Sequence, residues 1–153
     1  MRSQATDLHI HRRLVDTLYV DAMVLADEAR SYFDEVGRLE RDTLDPMARV
    51  AFSCESLKVT TRLMHIIAWL LTQRAVDAGE LRVRDALDPS RRLGPAPVSD
   101  AEAVLAMPHS AQQLIAGSAA LYRRVARLDE AQAGESAAPS PVRSLQDRLA
   151  LAF

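Results

Sequence analysis

The chain has 153 residues, 48% of them hydrophobic and 26% charged, which gives room for one domain around one core. A net charge of -2 supplies no global attraction to nucleic acid or anionic lipid. The single Cys54 can form no internal disulfide, as befits a reducing cytoplasm, and 5 glycines with 5% aromatics favour helix over sheet.

The N-terminal stretch MRSQATDLHIHRRL lacks the apolar core of a signal peptide. Asp7 can cap a first helix over residues 8–36. Its seam, in steps of three and four, is Leu8, His11, Val15, Leu18, Ala22, Leu25, Ala29, Tyr32 and Val36. Gly37 stands where a left-handed cap is commonly glycine, and the charged run 38–42 reads as a connector.

Asp45-Pro46 reads as an N-cap followed by proline in the first turn, where its missing N–H is harmless. The second helix then runs to about residue 78, roughly 50 Å at 1.5 Å per residue. It carries two apolar stripes. Val50, Cys54, Leu57, Thr61, Met64, Ala68, Leu71 and Ala75 form the main seam, and Phe52, Val59, Leu63, Ile66 and Leu70 a second. So broad an arc must be covered on more than one side, which favours a homodimer. Its longest apolar run, 63–71, is far short of the ~20 residues that span a bilayer, so no membrane segment is expected.

After Gly79, residues 80–87 fit a short extra turn. The stretch DPSRRLGPAPV, 88–98, is a loop by its prolines and glycine. Ser99 and Glu102 fit a capping box that opens a short helix to about residue 107. Pro108 interrupts it, and a third long helix follows over 108–131 with the seam Ala111, Leu114, Ser118, Leu121, Val125 and Leu128. Residues 1–131 thus read as an all-α, antiparallel three-helix bundle with long helices and short or medium connections. Residues 132–153 read as a flexible linker, rich in Ala, Ser, Gly and Pro, followed by a short amphipathic docking segment. Val142, Leu145 and Leu149 mark its apolar face and Phe153 its apolar end; a dozen residues rarely hold a helix without a partner surface.

Little catalytic chemistry is legible. His9 and His11 have no carboxylate cluster at metal-ligand spacing, and no cofactor or glycine-rich phosphate loop is indicated. Cys54 lies on the main seam, where free cysteine behaves as a small buried hydrophobe, and His65 is too far along the helix to serve it as a base. The arginines are spread and interleaved with acids, unlike a nucleic-acid face. One line stands out: Glu55, Lys58, Arg62, His65 and Trp69 share a face of the second helix. It is either a solvated face whose Trp69 packs under the third helix or a loop, or a recognition strip for an acidic partner anchored by Trp69.

AFSCESLKVTTRLMHIIAWLLTQRA, 51–75, preceded by ERDTLDPMARV, resembles the regulator of CtrA degradation (RcdA-like) family of alphaproteobacteria, a domain-of-unknown-function family. LADEARSYFDE and ALYRRVARLDE resemble that family's first and third helices. The resemblance implies a cytoplasmic, non-enzymatic helical dimer that acts as an adaptor in ClpXP proteolysis of cell-cycle proteins. ClpX, a CpdR-like response regulator and client proteins would be its partners, with a flexible tail that matters for binding. The alternative is a helical scaffold or transcription-associated factor with no protease link.

Overall fold

The computed structural model describes residues 2–137 and 141–152, apart from the side chains of 136, 137, 141–144 and 147. Among the described residues there is no strand. Three long helices, α1 (Arg2–Asp34), α3 (Pro46–Asp77) and α6 (His109–Ala137), pack on one another. Four short ones join or follow them: α2 (Val36–Asp42), α4 (Val83–Ala86), α5 (Ala101–Leu105) and α7 (Pro141–Ala152). A 3-10 turn, Pro89–Arg91, lies between α4 and α5.

The local signals act largely as the sequence predicts. Asp45 caps α3, its carboxylate accepting from the Ala48 N–H at 2.9 Å, with Pro46 in the first turn. Gly79, at φ 77°, closes the same helix in the left-handed region. Three details differ. Residues 38–42 belong to a helix, α2, with Gly37 buried inside it. Asp100 rather than Ser99 caps α5, accepting from the N–H groups of Glu102 and Ala103. Residues 132–137, expected as linker, continue α6, while 138–140 lie outside the described residues.

One core joins the three long helices. Val15, Leu18, Ala22 and Ala29 of α1 meet Phe52, Val59, Leu63, Ile66 and Leu70 of α3, and Ala111, Leu114, Leu121 and Val125 of α6. The seams of α1 and α6 are therefore the ones the period predicts, except at the two ends of the first, where Leu8 and Val36 (the latter already in α2) are 63% and 52% exposed. The seam of α3 is not the predicted one. Val50, Leu57, Met64 and Leu71, taken as its main seam, are 60%, 67%, 63% and 48% exposed, and Cys54 beside them is exposed rather than buried. The second stripe supplies the core.

Direction is the other correction. α1 is antiparallel to α3: the Arg12 guanidinium donates to the Asp77 carbonyl, while Phe33 packs on Phe52 at the other end. α6, however, runs parallel to α3, for Arg62 meets Ser118, Trp69 meets Asp129 and Gln73 meets Gln132. The chain between them must return the length of α3 before α6 can begin. A helical period carries no sense of direction, so the long connection between the two helices decides it.

Candidate functional site

The returning segment explains the polar line of α3. Residues 92–100 form a strap along α3 and α6, and the line Glu55, Lys58, Arg62, His65, Trp69 faces it. Glu55, Arg62 and Trp69 are only 2%, 3% and 2% exposed. The Glu55 carboxylate accepts from Ser99 Oγ at 2.6 Å, from the Asp100 N–H at 3.2 Å and from Lys58 Nζ at 3.0 Å. Arg62 donates to Ser99 Oγ at 2.7 Å, to the Pro97 carbonyl at 3.0 Å and to Ser118 Oγ at 3.3 Å. Ser99 Oγ thus bridges the two charges, giving its proton to Glu55 and accepting from Arg62.

The other end is fastened through Asp129. Its carboxylate accepts from Trp69 Nε1 at 3.0 Å and takes a two-pronged contact from Arg92, at 3.0 Å from Nε and 2.9 Å from the terminal nitrogen. Between the two fasteners the strap lies flat on His65. A Cβ on Gly94 would come within 2.7 Å of His65 Nδ1, so only glycine admits this approach. The Tyr122 hydroxyl donates to the Gly94 carbonyl at 2.7 Å.

Charge balance follows from burial. Taking Glu55 out of water pushes its carboxyl up, but the hydrogen bonds from Ser99, Lys58 and Asp100 outweigh that and hold it below the ordinary glutamate value. For Arg62 burial pulls the guanidinium below the usual arginine range; nearby Glu55 opposes this and Arg123 adds to it. Both remain charged at neutral pH, as a pair stitched by hydrogen bonds. The line is a clamp for the chain's own strap and not a strip presented to solvent. Ser99, Arg92, Tyr122 and Asp129 complete it; sequence reasoning took Ser99 only for a helix cap and gave the other three no role here. A signal existed for one: Asp129 stands four places after the seam residue Val125, on the inward side of α6.

Among the described residues, two of the uncovered apolar surfaces border a hollow or groove. The first is the outward stripe of α3, whose N-terminal part borders a shallow hollow of about 330 Å³ lined by Arg41, Arg49, Val50, Cys54 and Leu57. The second is a groove of about 680 Å³ between the strap, α5 and α6, with Val98, Leu105, Ile115 and Ala119 among its walls. In the C-terminal helix, Leu145 and Leu149 are exposed; the Val142 side chain and Phe153 lie outside the described residues. Among the described residues no three His, Cys, Asp or Glu side chains are placed to hold a metal ion. None of the helices searched is long and apolar enough to cross a membrane.

Over residues 6–153 the chain matches a family described as "Protein of unknown function (DUF1465)". It is also similar to the crystal structure of RcdA from Caulobacter crescentus CB15, with 32% sequence identity and a TM-score of 0.64. The match covers 78% of this chain and 90% of that one. No curated protein matches the chain.

Proposed function

The chain belongs to the RcdA-like family of DUF1465 proteins, and from that premise we propose that it is a non-enzymatic adaptor in regulated proteolysis. In this reading it works in the cytoplasm as a homodimer of three-helix bundles. It brings cell-cycle clients to a ClpXP-type protease together with a CpdR-like response regulator. The observation that carries the reading is the likeness to RcdA over most of both chains. The build of the molecule supports it: the buried polar groups fasten its own strap, and the surfaces left over are apolar, suited to other proteins rather than to a reacting substrate.

The test is a reconstituted degradation assay with ClpXP, candidate clients and the primed response regulator. The full chain is expected to speed client loss. A version ending at Ala137, which keeps α6 whole, is expected to lose that effect if 138–153 dock a partner. Unchanged rates with both folded proteins would leave a scaffold with no protease link.

For the dimer, the outward stripe of α3 is the surface we assign. Val50, Leu57, Met64 and Leu71 recur every seven residues, which suits shallow helix packing across a two-fold axis. Leu57→Glu together with Met64→Glu would set four carboxylates in that contact. The pair is expected to weaken association roughly 100-fold, leaving a folded monomer in light scattering. An unchanged mass would place the interface elsewhere.

A further inference from the structure

The groove between the strap and α6 has a distinctive charge pattern. Its walls are apolar, with Val98 and Leu105 on the rim 86% and 76% exposed, and its lining contains no aspartate or glutamate. The charged residues in that lining are Arg62 and Arg123. Arg62 is already engaged by Pro97, Ser99 and Ser118. Arg123 forms no ion pair among the described residues, nor does Arg127 one turn further along α6. One end of an apolar trough therefore carries uncommitted positive charge on a chain whose net charge is -2.

We propose that this groove docks an amphipathic helix of a partner protein, with apolar side chains at i, i+3 or i+4 and i+7 and a carboxylate that meets Arg123. The length agrees: Gln112 to Arg123 spans about 16 Å of α6, the reach of some three helical turns. A strand is a poorer fit, because Pro95 and Pro97 have no N–H to give and interrupt the strap as an edge for an extended peptide. The chain's own α7 is the wrong charge, since Arg143 and Arg148 against Asp147 leave its twelve residues net positive.

The probe is a displayed library of random 12-residue peptides selected on the full-length protein, with the enriched sequences resynthesised and measured by fluorescence anisotropy. The assay contains no protease, so its failure is separate from failure of the adaptor reading. Enriched peptides are expected to be acidic, with the stated apolar spacing, and to bind at least about tenfold more weakly to Arg123→Glu. That variant changes an exposed side chain, so its melting curve should stay in place. Exchanging the peptide's glutamates for lysines should restore binding to Arg123→Glu. The proposal is overturned if the peptides are basic or match residues 141–152, if Arg123→Glu leaves their affinity unchanged, or if none is enriched.

Discussion

Replacing Trp69 by alanine is expected to lower the melting temperature by roughly 6–20 °C, from a loss of about 3–5 kcal/mol. The indole is 2% exposed and fully packed, so its removal leaves a cavity that close neighbours fill only in part. It also deprives Asp129 of one donor, though the Arg92 contact remains. Trp69→Phe keeps most of the volume and loses the N–H. Its smaller cost, about 1 kcal/mol for the hydrogen bond plus some repacking, separates the two contributions. Circular-dichroism melting at one fixed protein concentration reads both. A normal melt with lost partner binding would instead make Trp69 a surface anchor.

The second large effect lies in the Glu55–Arg62 pair. Arg62→Met removes a buried guanidinium beside a carboxylate that is 2% exposed; Lys58 Nζ stays on that carboxylate at 3.0 Å, so the cost is that of the donors lost by Ser99, Pro97 and Ser118, about 1–3 kcal/mol. The strap should loosen with it, because Pro97 and Ser99 lose their donor. Faster amide exchange over residues 94–101 is the local readout. The double variant Glu55→Leu with Arg62→Met should be less destabilised than the sum of the two singles, since it leaves no unpaired charge in the core. Equal additivity would mean that the two groups do not act through one another.

Acidity tests the same site. Glu55 holds its proton less tightly folded than unfolded, where its ordinary value is 4.5. Between the two values the unfolded chain binds more protons, so stability rises with pH across that window. The contribution is present above about pH 4.5 and is lost as acid carries the pH down through the folded value. Glu55→Gln should flatten the fall in melting temperature below pH 4.5. An unaltered acid limb would assign that limb to other carboxylates.

The tertiary contacts also change what the exposed residues mean. An apolar stripe at heptad spacing and a polar line beside it look, in isolation, like a core face and a solvent face. In the folded chain they exchange places. Glu55 and Arg62 can turn inward because Ser99, the Pro97 carbonyl and Ser118 meet them there with complementary hydrogen-bonding groups. Leu57 and Met64 are then left facing out, as material for contact between molecules.

What the sequence by itself determined is local and periodic. Asp45-Pro46 starts α3, Pro108 separates α5 from α6, and the three-four spacing of Val15, Leu18 and Ala22 or of Ala111, Leu114, Ser118 and Leu121 picks the buried face of α1 and α6. These features depend on residues within a few places of one another, and helix geometry converts such spacing directly into a shared face. Stretches such as residues 51–75 also sufficed to place the chain in its family. The tertiary structure alone decided the parallel course of α6, the inward turn of the α3 polar line and the opening of the groove. Each depends on where residues 79–108 run, and that path is chosen by pairings such as Ser99 with Glu55 and Arg92 with Asp129, 44 and 37 positions apart. No periodicity records a pairing at that distance, because it exists only once burial makes an unmatched charge too costly to leave alone.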